Sequence, residues 1–140
     1  MLTITLNNVN VKNNELIPFN KSQFKPIVHV NNLPNKYYSI IAVDPDAPSK
    51  LNPKYKYWLH WLIINNNQEI VPYQFPLPPV GSGKHRYCFY LLKQNNKLDK
   101  NILNLKKNNS NFIRKNFNLS EFIVDNNLEI MDSVIFKTQR

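Results

Sequence analysis

Glycine is almost absent from this chain. Among 140 residues there are two, Gly81 and Gly83, and both fall in one turn, "VGSGK". Glycine enters left-handed backbone conformations at no steric cost and lets a backbone approach a ligand closely, so spending both on one turn marks that turn. Cysteine is scarcer still. Cys88 stands alone, which excludes an internal disulfide and fits a reducing compartment. It lies between Tyr87 and Phe89 with only Arg86 beside it in sequence to lower its pKa, so it reads as a buried packing residue and not as a nucleophile. No apolar run approaches the roughly 20 residues of a membrane-spanning helix. The N-terminal "MLTITLNNVNV" has no basic n-region and no small-residue cleavage site, so the expected location is cytoplasmic. Acidic residues are also few, 9 against 18 Lys and Arg, for a net charge of +9. That charge favours phosphates, acidic proteins or an anionic membrane surface as partners. The basic residues are nevertheless scattered as singles and pairs, such as Lys54/Lys56 and Lys106/Lys107, the pattern of a solvated surface. No stable nucleic-acid complex is expected, and at most peripheral membrane contact.

What is present suggests a packed globule. Hydrophobic residues make up 42% and aromatics 12%, enough for one core, and the length fits a single domain spanning residues 1–140. Asparagine is the commonest residue; its abundance reads as a compositional imprint more than a functional device. Strands dominate. "YYSIIAVD" (37–44), "KYWLHWLIIN" (56–65) and "HRYCFYLLK" (85–93) are short runs of β-branched and aromatic residues bounded by Pro and Asn. Apolar residues on both faces imply a layer covered on both sides, as in the central strands of a sandwich. Weaker strands are expected at 3–6, 27–30, 69–71 and 129–136. Helices are expected only late, at 98–107 and at 110–119, the second with Ser110 or Asn111 as N-cap. Prolines gather between the strands and mark stiff loops.

Three segments hold most of the reactive side chains: "DPDAPSK" (44–50), "YWLHW" (57–61) and "PPVGSGKHRY" (78–87). Asp44 and Asp46 sit at a strand exit where Pro45 and Pro48 fix the backbone, giving either a rigid rim or an ordinary Asp-Pro turn in which Asp caps its own backbone. His60 alternates with Trp58, Leu62 and Ile64 and is expected on their face, as a satisfied core residue or as a binding one. His85 opens a strand directly after the glycine turn, with Tyr87 pointing the same way, so that the turn would aim His85 and give backbone access to a ligand. The "GSGK" turn is too short for a nucleotide-hydrolase phosphate loop and leads into a strand, so no helix N-terminus is available. Two histidines, an Asp pair and no cysteine pair make an incomplete zinc set. No metal or cofactor is expected. An Asp and His pair could serve in catalysis, but the sequence recommends no serine or cysteine beside them as a nucleophile, so no catalytic residue is assigned and the chain is read as a non-enzyme.

At these residues the chain resembles the phosphatidylethanolamine-binding protein family, which includes Raf-kinase-inhibitor proteins and plant flowering regulators. "DPDAPS", "NPKYKYWLHWLIIN" and "PPVGSGKHRYCFYLLKQ" reproduce the family's signature blocks in order, with the clear match running over 40–94 and fainter similarity at 24–30 and 111–119. The resemblance implies a mainly β, Greek-key antiparallel β-sandwich with one or two short helices near the C-terminus. It implies a small anion pocket lined by Asp44, Tyr55, Trp58, His60, Pro79, His85 and Tyr87, shaped by Asp46, Pro48, Phe75, Leu77, Gly81 and Gly83, with a cis Ala47–Pro48 bond. The implied ligand is a phosphate-type or phosphatidylethanolamine-like group, both imidazoles serving as donors to its oxygens. The implied partner is a kinase or another protein. A regulator with a vestigial pocket, or a basic nucleic-acid binder, are the alternatives. Phe75 and Leu77 replace the family's usual glycines and are expected to narrow the mouth, while the family's helix after Phe136 is not seen, which would open the cavity.

Overall fold

The computed structural model describes residues 1–102 and 113–140. Its strands are β1 (Leu2–Leu6), β2 (Val9–Asn10), β3 (Glu15–Leu16), β4 (Ile27–Val30), β5 (Tyr37–Asp44), β6 (Trp58–Ile64), β7 (Gln68–Val71), β8 (His85–Gln94) and β9 (Leu128–Thr138), and α1 spans Leu119–Asp125. They form a three-stranded antiparallel sheet, β2-β1-β4, and a six-stranded sheet, β3-β9-β8-β5-β6-β7. The larger sheet is antiparallel except for β3, which runs parallel to β9. Within it, β5, β6 and β7 follow one another and β8 returns to lie beside β5, which is the Greek-key order. The return connection is the proline-rich stretch from Pro72 to Lys84.

The apolar character of both faces of β5 and β8 has a direct cause: each face is covered. Ile40, Ala42, Phe89, Leu91 and Phe136 pack with Leu2, Ile4 and Leu6 of the small sheet. On the opposite face Ile41, Val43, Leu62, Cys88 and Leu92 pack with Leu119 and Phe122 of α1. Burying each such aliphatic side chain contributes roughly 1.5–3 kcal/mol.

One local irregularity moves a key residue. In the β5–β6 ladder Ala42 pairs with Trp61 and Val43 with Leu59, so His60 is the extra residue of a bulge. The alternation expected from sequence therefore breaks at His60. Leu62 and Ile64 face the α1 side, whereas His60 lies edge-on to Tyr87 at the opposite face.

Asparagine proves to be a backbone device. Among the described residues the non-glycine positions with positive φ are all asparagines: 7, 8, 14, 32, 65, 66, 116 and 127. Asn tolerates the left-handed region better than other non-glycine residues. Asn7 and Asn8, with φ of 47° and 65°, form the two-residue turn between β1 and β2, where both central residues require positive φ.

The helices differ from expectation. Residues 98–102 are irregular and turn structure, and the remainder of the helix expected at 98–107 lies outside the described residues. Of the second, 110–112 lie outside, Ile113 and Arg114 are helical, and Leu119 begins α1 instead of ending a helix. The N-cap of α1 is Asn118, whose Oδ1 accepts from the Glu121 N–H at 3.0 Å while its amide donates to Glu121 Oε2 at 3.1 Å.

Candidate functional site

The end of β5 and the starts of β6 and β8 meet at one end of the large sheet, on the face toward the small sheet. There they border a cavity of about 360 Å³. Asp44 comes from β5, Trp58 and His60 from β6, and His85 and Tyr87 from β8. Ala47, Pro48 and Tyr55 come from the β5–β6 loop, and Gln74, Phe75, Leu77, Pro78 and Pro79 from the Greek-key return. All seven residues expected to line a pocket do line this one, as do Pro48, Phe75 and Leu77. Phe75 and Leu77 remain 41% and 58% exposed, at the rim and not filling the cavity. The Ala47–Pro48 bond is cis, as is Lys56–Tyr57. Asp46, Gly81 and Gly83 are not among the lining residues.

Asp44 answers both readings of its motif. Its Oδ1 accepts the Asp46 N–H at 2.7 Å, the self-capping turn, while its Oδ2 lies 2.8 Å from Nδ1 of the buried His85. Asp46 turns away from the cavity. It accepts from the backbone N–H of Arg86 at 2.9 Å and from the Nε and Nη2 of its guanidinium at 3.0 and 2.8 Å. Burial alone would raise the Asp46 pKa, but the Arg86 hydrogen bonds and charge outweigh it and hold the carboxyl below its usual range.

Gly81 and Gly83 have φ of 78° and 86°, and an added Cβ would meet no atom within 4 Å. Their role is conformational. The turn they form brings Ser82 Oγ to 2.9 Å from His85 Nε2. Ser82, His85 and Asp44 thus line up in the order of a nucleophilic relay, a neighbour that sequence reasoning did not supply. Two features set this serine apart from an activated one. Its Oγ also lies 2.7 Å from the Pro79 carbonyl, which competes with His85 Nε2 for its single proton, and Ser82 does not line the cavity.

His60 is organised by Gln74, which sequence reasoning also missed. The Gln74 N–H donates to the His60 carbonyl at 2.9 Å, and His60 Nδ1 lies 2.7 Å from the Gln74 carbonyl. The Gln74 side-chain oxygen accepts from the Trp58 indole N–H. Burial pushes the His60 pKa down to about 4, with the Arg114 and His85 charges adding and Asp44 and the Gln74 carbonyl opposing. Arg114 backs this strand, donating to the carbonyls of Leu59, His60 and Pro72 at 2.9, 3.0 and 2.8 Å. Burial lowers its pKa too. Tyr87 is buried, and burial with the nearby Asp44 charge keeps its phenol protonated. Cys88, one residue on, faces the α1 side, its thiol pushed up to about 11 by burial. The available signal for Gln74 was modest: it is the lone amide in the proline-rich stretch 72–79. Nothing in the sequence marked Ser82 or Arg114. Among the described residues no three His, Cys, Asp or Glu side chains gather as a metal set, and no helix is long and apolar enough to cross a membrane.

The pattern of the phosphatidylethanolamine-binding protein family matches residues 7–129. The chain belongs to that family. A phosphatidylethanolamine-binding protein homolog of Acanthamoeba polyphaga mimivirus is 51% identical over 139 residues, covering 98% of this chain and 96% of the relative. Two solved structures share the fold at lower identity. A carboxypeptidase Y inhibitor complexed with its cognate proteinase aligns with a TM-score of 0.81 at 23% identity, covering 99% of this chain and 82% of that one. A phosphatidylethanolamine-binding protein from Plasmodium vivax aligns with a TM-score of 0.77 at 19% identity, covering 99% and 84%. This family member keeps the resemblance well beyond 40–94, since the matched region takes in β4 and reaches the start of β9.

Proposed function

We propose that this member of the family is a non-enzymatic, cytoplasmic binding module that holds a phosphate-bearing head group or similar anion in the cavity. We propose further that it regulates a protein partner, with a kinase as the class suggested by family resemblance. The observation that carries the ligand reading is convergence: Asp44, His60, His85 and Tyr87, brought from three strands, border one cavity of head-group size. Cations sit beside one of its lining residues. The Lys115 and Lys54 ammonium groups lie 4.4 and 5.2 Å from the centroid of the Tyr55 ring, which lines the cavity, and such charge raises the local concentration of an anion. The protein-partner reading is supported by the solved inhibitor–proteinase complex of a fold relative. A vestigial, blocked pocket is disfavoured by the open volume behind Phe75 and Leu77.

The test is isothermal titration calorimetry with phosphorylethanolamine at about pH 6, near the second phosphate pKa. His85→Ala removes the partner of a buried carboxylate and carries a folding cost, so Tyr87→Phe, which deletes one hydroxyl, is measured beside it. Tyr87→Phe is expected to weaken binding by about tenfold or more, the loss of one hydrogen bond to a charged group, and His85→Ala, which also frees Asp44 and Ser82, by at least as much. Unchanged affinity in both variants overturns the assignment.

A further inference from the structure

We propose that the cavity selects a phosphate monoester in its singly protonated form, because two adjacent side chains of its lining offer one acceptor, His60 Nε2, and one donor, Tyr87 Oη. The inference rests on the phosphate reading above and narrows its ligand class.

A proton count fixes the acceptor. The Gln74 carbonyl, 2.7 Å from His60 Nδ1, has no proton to give, so Nδ1 carries the N–H. A neutral imidazole has one N–H, which leaves Nε2 with a lone pair. Nε2 has no hydrogen-bond partner among the described residues and is not among the sealed, unpartnered buried atoms, so it opens to the cavity that His60 lines. Gln74 holds the tautomer firmly, since its own N–H and its side chain are tied to His60 and Trp58.

The groups around His60 keep it neutral. Asp44 from β5 favours the imidazolium, but each of its oxygens is already engaged, by Asp46 N–H and by His85. His85 from β8 and Arg114 from behind β6 oppose it, and burial opposes it most. The donor is Tyr87, whose ring centroid is 5.1 Å from that of His60 with the planes at 77°. Its hydroxyl is likewise unpartnered among the described residues and not sealed.

In this proposal the pair departs from the expectation that both imidazoles donate to a phosphate. A fully ionised oxygen placed at His60 Nε2 sets lone pair against lone pair. A P–OH group donates to Nε2 while another oxygen of the same phosphate accepts from Tyr87. A monoester carries that proton below its second pKa of about 6 and loses it above. A phosphodiester and a sulfate monoester carry none in this range.

Calorimetry with methyl phosphate, dimethyl phosphate and methyl sulfate, from about pH 5.5 to about pH 8, spans that ionisation. These probes lack an amine, so no ammonium can supply the donor. Methyl phosphate is expected to bind best at the acid end and to weaken by up to about tenfold per pH unit above pH 6. The other two should bind about tenfold or more weaker there, with no slope, as expected for an unpaired polar contact. His60→Asn, whose amide donates, should flatten the slope. If methyl phosphate binds as well at pH 8, if dimethyl phosphate matches it at pH 5.5, or if methyl sulfate shows the same slope, the inference fails and the pocket reading stands. If none of the anions binds, both fail.

Discussion

His60 is ionisable, almost wholly buried, and held neutral by its surroundings. Its folded pKa of about 4 lies below the ordinary histidine value near 6.5. Between those values the unfolded chain takes up a proton that the native protein refuses. The stabilisation is therefore full above pH 6.5, declines as the pH falls toward 4, and is lost below it, for a total on the order of 3 kcal/mol. Asp46 acts in a separate window: its depressed carboxyl contributes in full above about 3.8, and the contribution is lost as the pH falls from there through the lower folded value. Urea midpoints of the wild type and His60→Gln at about pH 7 and about pH 4.5 bracket the histidine window. The wild type should lose stability across it and the variant distinctly less; equal losses would remove His60 as the cause. Legibility also divided at this scale. Asp44, His85 and Tyr87 were readable because strand ends and their motif fix where they point. Gln74 and Ser82 were not, since they act through a backbone carbonyl and a shared proton, which residue type and spacing do not encode.

Among the elements, β5 was legible to its ends because a doubly buried strand reads as one apolar run between turn residues. The face of His60 was not, because a bulge inserts one residue without changing the composition of β6. Helix α1 was missed in favour of an upstream start, although "NLSE" carries its cap. The reciprocal bonds between Asn118 and Glu121 satisfy donors that a seven-residue helix has few other means to satisfy. Asn118→Ala should cost about 1 kcal/mol, read as a lower urea midpoint with an unchanged slope. A shift no larger than that of Ser120→Ala, which removes no cap, would contradict this. Because Leu119 and Phe122 pack under the large sheet, the loss should spread to β5 and β8 instead of fraying one helix.

For the molecule as a whole, the Greek key does two jobs with one connection: it carries the chain back to β5, and it supplies the cavity wall from Gln74 to Pro79. The two-layer β architecture was readable from strand content and family resemblance. The parallel pairing of β3 was not, because a two-residue strand leaves no periodic signal. The sheet boundaries carry a last consequence. The large sheet ends in β3 and β7, the small one in β2 and β4, and none of the four exceeds four residues. Farther along β9, Asp132 is occupied by the Leu2 N–H at 3.0 Å and the terminal ammonium at 3.5 Å. Such stubs give an incoming chain little to template on, which leaves the stretch of β9 that β3 does not cover as the one longer margin among the described residues, and a charge of +9 repels copies of itself. Light scattering behind a sizing column should report one mass, that of a lone chain, at every loading; a mass growing with concentration would mean that self-assembly begins somewhere other than these margins.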